Sequence, residues 1–119
     1  MARVLVVDDA AFMRMTIKQM LEANGHSMAG EAATGVEAVE IYLDVKPDVI
    51  ILDISMPEMN GIEALKRIKV LDPDAKAIVC TAIGQQVKLA EAIEAGALEF
   101  IVKPFEAAQL MQAIDKVMS

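Results

Sequence analysis

The chain has 119 residues, enough for one domain to bury a core without metal staples, and its single cysteine, Cys80, rules out an internal disulfide. With 55% hydrophobic residues but only 3% aromatic ones, that core has to be built from Val, Ile, Leu, Ala and Met, which suits a sheet covered on both faces. A formal net charge of -7 argues against a nucleic-acid footprint, and the apolar runs fall well short of the roughly 20 residues needed to span a bilayer.

In chain order, Arg3 to Val7 reads as a short buried strand halted by Asp8-Asp9. Arg3 leads directly into this strand without the long apolar segment or cleavage site of a signal peptide, so a cytoplasmic location is expected. From Ala11 to Asn24 the apolar residues Phe12, Met13, Ile17, Met20 and Leu21 recur at helical spacing, which predicts an amphipathic helix with Gly25 as its C-terminal stop. Ser27 to Ala32 is a weaker strand, and Gly30 inside it suits an edge position. Thr34-Gly35-Val36-Glu37 matches the S/T-x-x-E capping box and opens a helix to about Asp44.

Pro47-Asp48 breaks that helix before Val49-Ile50-Ile51-Leu52-Asp53, an apolar run that ends abruptly in a carboxylate. Asn60 caps a helix to about Leu71, and Ala77 to Cys80 is a fourth strand ending at Thr81. A helix from about Gln85 to Ala95 stops at Gly96, Glu99 to Val102 is the fifth strand, and a last helix runs from about Ala107 to Val117. Five strands alternating with five helices over residues 1–119, without repeat or linker, predict a single α/β domain with a parallel sheet between helices.

Parallel strands present their C-terminal ends on one edge, so this pattern gathers Asp8, Asp9, Asp53, Thr81 and Lys103, where stability alone favours apolar residues. Carboxylates about 4 Å apart repel by roughly 4 kcal/mol per pair at an effective dielectric of about 20, so the acids need a cation. An open, oxygen-rich site suits Mg²⁺, which keeps several waters and bridges to phosphate. Lys103, the Thr81 hydroxyl and nearby backbone N–H groups then supply donors for phosphoryl oxygens.

Asp8-Asp9 after the first strand, Asp53 followed by Met56-Pro57 and Gly61, Thr81-Ala82, and Lys103-Pro104-Phe105 stand in order at strand ends. In these features the chain resembles the receiver domain of two-component response regulators over essentially its full length. The stretches Val7 to Arg14, Cys80 to Gln86 and Phe100 to Phe105 are most similar to the chemotaxis branch of Gram-positive bacteria and Thermotoga. The resemblance implies a flavodoxin-like (βα)5 doubly wound sheet with strand order 2-1-3-4-5, an order that comes with the family and not from the pattern.

The resemblance further implies that Asp53 takes a phosphoryl group from a phosphohistidine of a chemotaxis-type histidine kinase, making the protein a phosphoacceptor and not an enzyme. Asp9, Asp53 and the backbone carbonyl of Ser55 would ligate Mg²⁺, with Asp8 holding metal-bound water. Lys103 and the Ala82 backbone N–H would bind phosphoryl oxygens, and a cis bond to Pro104 would shape the Lys103 loop. Thr81 would move toward the phosphoryl group while Phe100 rotates into the vacated space. The surface including Ile83, Gln85, Gln86 and Phe100 would then be read by the flagellar motor switch protein, with a phosphatase as a further partner and the protein itself a monomer. Phe100 lacks the hydroxyl of the Tyr common at this position, and apolar Ile83, where the family tunes self-dephosphorylation together with Ser55, implies a long-lived phosphoryl state.

Other classes share part of the pattern. A Mg²⁺-dependent aspartyl-phosphate phosphohydrolase needs a general acid where Ser55 stands, and a flavodoxin-like cofactor carrier needs a phosphate loop after the first strand. Within the switch class, a single-domain phosphorelay intermediate is the alternative to chemotaxis. His26, after Gly25, reads as a turn residue, and Cys80 as a buried strand residue. Met13, Met20, Met111 and Met118 fall at core-compatible positions, Met56 and Met59 are placed to shield the site, and Lys66-Arg67-Ile68-Lys69 reads as a solvated face.

Overall fold

Strands β1 (Arg3–Val7), β2 (Ser27–Ala32), β3 (Val49–Asp53), β4 (Ala77–Ala82) and β5 (Glu99–Lys103) alternate with helices α1 (Ala11–Ala23), α2 (Gly35–Val45), α3 (Gly61–Leu71), α4 (Leu89–Glu94) and α5 (Ala107–Met118). The computed structural model describes residues 1–56, 59–82, 84 and 88–119. All pairings are parallel and the order is β2-β1-β3-β4-β5, the expected flavodoxin-like arrangement. Gly30 falls on edge strand β2, just past a register shift opposite Val4 and Leu5. Among the described residues no helix is long and apolar enough to cross a membrane.

The two-residue period of the strands divides the core in half. Leu5, Val7, Ile50, Leu52, Ala77 and Val79 face one side and pack with Ala38 and Tyr42 of α2, Leu65 and Ile68 of α3 and Ala92 of α4. Val4, Val6, Val49, Ile51, Ile78 and Cys80 face the other and pack with Ile17 and Leu21 of α1 and Leu110, Ile114 and Val117 of α5. Every residue of the central strand β3 is buried, which is why its sequence is a continuous apolar run and not an alternating one. Each buried Ile, Leu or Val contributes on the order of 2 kcal/mol.

The helix ends follow local chemistry. Gly25 at φ 82° lets the chain leave α1 in a turn where Gly25 N–H donates to the Glu22 carbonyl and His26 N–H to that of Leu21. Thr34 Oγ1 accepts from Glu37 N–H at 3.1 Å, and the Glu37 carboxylate reaches back to Ala33 N–H at 2.7 Å, one residue beyond the usual box partner. Asn60 Oδ1 accepts from Glu63 N–H at 3.0 Å to start α3. Gly61 is required by close approach: a Cβ there would collide with the Asp53 carbonyl, and its own N–H donates to the Ile54 carbonyl at 3.0 Å.

Two positions read as core-facing are not. Phe12 is 79% exposed and Met118 39% exposed, because the first turn of α1 and the last turn of α5 carry them beyond what the neighbouring elements cover. Met13, Met20 and Met111 do pack on the core beside α1 and α5, and Met56 and Met59 on the opposite half. His26 sits half-buried in its turn, where Nδ1 accepts from Ala2 N–H at 2.9 Å. Lys69 is half-buried and departs from the solvated face formed by Lys66 and Arg67, since its Nζ donates to the Pro73 and Ala75 carbonyls.

Candidate functional site

Three strand ends supply the polar cluster. Asp8 follows β1, Asp53 is the last residue of β3 and Lys103 the last of β5. Lys103 Nζ lies 2.6 Å from Asp8 Oδ2 and 3.2 Å from Asp53 Oδ2. Asp8 is 2% and Asp53 7% exposed, whereas Asp9 is open to solvent. One oxygen from each of Asp8, Asp9 and Asp53 lies within 4.8 Å of the other two. The expected grouping of Asp8, Asp9, Asp53 and Lys103 is thus present.

Asp8 is held at every polar atom. Its N–H donates to the Ala32 carbonyl at 3.1 Å, its Oδ1 accepts from Ala10 N–H at 2.9 Å, and its carbonyl accepts from Arg14 Nη1 at 2.6 Å. Asp53 is less well compensated, with a 3.3 Å bond from Ser55 N–H to Oδ1 and the longer of the two Lys103 contacts. Burial accordingly pushes the Asp53 carboxyl above the usual range; Lys103 opposes this and the nearby Asp8 charge adds to it. For Lys103, burial alone favours loss of the proton, but the Asp8 hydrogen bond and the attraction of both acids outweigh it and hold the ammonium protonated above its ordinary range. The two shifts are compatible because Lys103 is committed more tightly to Asp8 than to Asp53.

The donor set fits a small hard cation. It consists of carboxylate oxygens, one carboxylate is exposed to water, and the single lysine in contact with the cluster pairs with only two of the three acids. Asp8, Asp9 and Asp53 would hold such an ion directly or through water.

Thr81 is fully buried on β4, and its Oγ1 has no hydrogen-bond partner among the described residues. Such an atom costs about 1–3 kcal/mol relative to a satisfied one. Ser55 and Ala82 are exposed at the site's rim, Phe100 on edge strand β5 is 42% exposed, and the Lys103–Pro104 bond is cis as expected. Cys80 is wholly buried, and burial raises its thiol pKa far above the ordinary range, consistent with an inert core residue. The expectations for Ile83, Gln85, Gln86 and Pro57 lie outside the described residues.

Sequence reasoning gave no role to Arg14, which quoted alone is one more residue on α1. The available signal was its position: a cation in the second turn of a helix, against the helix dipole, one turn after an acidic pair. Its Nε also pairs with Glu31 Oε1 at 2.7 Å, so the side chain bridges the Asp8 carbonyl and β2.

Comparisons with known proteins agree with this geometry. The pattern of the response regulator receiver domain matches residues 4–115. The chain is 56% identical over 115 residues to the chemotaxis protein CheY of Thermotoga maritima, covering 97% of this chain and 96% of that one. It is 52% identical over 117 residues to CheY of Bacillus subtilis, covering 98% of each. Among solved structures, CheY in a CheX-CheY-BeF3-Mg+2 complex from Borrelia burgdorferi superposes with a TM-score of 0.93 at 34% identity, covering 98% of this chain and 89% of that one. With fold, strand-end acids and sequence in agreement, the chain belongs to the response regulator receiver domain family.

Proposed function

We propose that this protein is a phosphoryl-controlled switch of the chemotaxis type, with Asp53 as the phosphoacceptor. The observation that carries the reading is the state of Asp53: a nearly buried carboxylate with a raised pKa, facing one shared lysine and two further acids. An Asp53 oxygen attacks the phosphorus of a phosphohistidine on a histidine kinase; the new P–O bond forms as the P–N bond breaks, and the electron pair leaves with the imidazole. Asp9, Asp53 and the Ser55 carbonyl would hold Mg²⁺, with Asp8 on a metal-bound water. When bound, the ion supplies positive charge to the phosphoryl oxygens. Lys103 and the Ala82 N–H donate to those oxygens, and the unpartnered Thr81 hydroxyl acquires an acceptor on moving toward them.

The same movement leaves a space that Phe100, outward-facing at 42% exposure, fills on turning inward. That change alters the surface of α4, β5 and α5, and this is what the flagellar motor switch protein reads. A phosphatase that resets the switch is the third partner, in line with a CheY relative solved together with CheX.

Incubation with Mg²⁺ and a small-molecule phosphodonor, followed by intact-mass measurement, tests the acceptor. Wild type gains one phosphoryl group and Asp53→Asn gains none; equal gain by both, or gain by neither, overturns the assignment. Binding of both states to the motor switch protein then tests the output: phosphorylation should raise affinity, and equal affinity removes the chemotaxis role.

A further inference from the structure

We propose that Arg14 is a positioning residue that aims the Asp9 carboxylate at the metal site by fixing the peptide between Asp8 and Asp9. This role rests on the Mg²⁺-dependent reading above. Asp9 is exposed, and its carboxylate has no hydrogen bond or ion pair among the described residues, so its placement within the acidic cluster is set by its backbone. The peptide plane leading into Asp9 carries the Asp8 carbonyl, and Arg14 Nη1 holds that oxygen at 2.6 Å. A change in the Asp8 ψ angle that breaks this contact turns the chain from Asp9 onward, and with it the Asp9 side chain.

The other end of the grip is equally specific. Arg14 Nε donates to Glu31 Oε1 at 2.7 Å, so the planar guanidinium is fixed in orientation between β2 and the turn after β1. Its side chain is only 16% exposed. A cation near a helix N-terminus opposes the helix dipole, so neither solvation nor helix stability explains the residue. The fork is what the position requires: the two acceptors are held by separate nitrogens, Nε and Nη1, in one rigid plane, a geometry that the single nitrogen of a lysine does not reproduce.

The test uses the whole chain without any phosphodonor. Mg²⁺ affinity is measured by isothermal titration calorimetry for wild type, Arg14→Gln, Arg14→Lys and Glu31→Gln, alongside thermal melting in EDTA. Arg14→Gln should weaken Mg²⁺ binding roughly tenfold, the scale seen when groups orienting metal ligands are removed. Arg14→Lys, which keeps the charge and the aliphatic stem and so guards against a failure to fold, should weaken it less but in the same direction. Glu31→Gln, which keeps an acceptor for Nε, should stay within about twofold of wild type. If wild type binds Mg²⁺ and both Arg14 variants bind it equally well, whatever their melting temperatures, the positioning role is overturned while the metal reading stands. If wild type does not bind Mg²⁺, both are overturned.

Discussion

Arg3, at the N-terminal edge of the sheet, and Lys103, at its C-terminal edge, are both cations set against strand ends, yet their surroundings differ in kind. Arg3 donates to the Val45 carbonyl at 2.9 Å and the Lys46 carbonyl at 2.7 Å, and its own N–H goes to Asp48 Oδ2 at 2.9 Å. Nearby, His26 receives the Ala2 N–H and Lys69 ties down the Pro73 and Ala75 carbonyls. At the other edge, one lysine serves two nearly buried acids, and a fully buried hydroxyl has no partner among the described residues. One end of the sheet is arranged for stability; the other leaves desolvated acids sharing a single lysine.

This contrast makes substitutions differ in size between the two ends, and in sign within the site end. Lys103→Met should have the largest effect, a loss of about 3 kcal/mol at neutral pH without Mg²⁺, because it leaves two desolvated acids facing each other. Denaturant unfolding at several pH values should show that loss shrinking in acid as Asp53, whose carboxyl burial already pushes up, becomes neutral; an unchanged loss there means packing and not charge is responsible. Arg3→Met should cost about 1.5 kcal/mol by removing two charge-assisted bonds, and it should leave phosphoryl acceptance intact by mass measurement.

At the site end the next two effects should be stabilising. The folded protein raises the Asp53 pKa, so folding favours its neutral form: stability is greatest below the unfolded-state pKa and is lost as pH rises through the folded one. Asp53→Asn should therefore gain about 1 kcal/mol at neutral pH in EDTA, with the gain vanishing in acid where both states carry a neutral Asp53. A loss of stability in EDTA at neutral pH erases the contrast. Thr81→Val should raise stability by somewhat under about 1 kcal/mol, seen as a small rise in melting temperature, since it removes a buried hydroxyl with no partner. It should also weaken phosphorylation-dependent binding to the motor switch protein.

Periodicity and punctuation made the strands and helices legible, because burial on both faces of β3 and on one stripe of each helix leaves a direct mark on residue choice. The acids at the strand ends were legible for the opposite reason, that carboxylates placed after apolar runs serve no packing need. Strand order left no such mark, since every strand of a parallel sheet looks alike from within, and it came through family resemblance. Phe12 and Met118 show the limit of a helical stripe: spacing reports the angle around the axis but not whether a neighbour extends far enough to cover that turn. Arg14 was hidden because its partner is a backbone carbonyl, and every residue carries one.

Gly61 has a mechanical consequence. With no side chain between them, the start of α3 rests directly on the Asp53 carbonyl, and the Gly61 N–H clasps the Ile54 carbonyl at 3.0 Å. The corner behind the Asp53 carboxylate is therefore butted against α3, with no room for a side chain between them. Asp53 is paired with Cys80 across the ladder, and Ile54 N–H holds the Cys80 carbonyl at 3.1 Å. The Asp53–Ile54 corner is thereby moored to β4 at the residue immediately before Thr81.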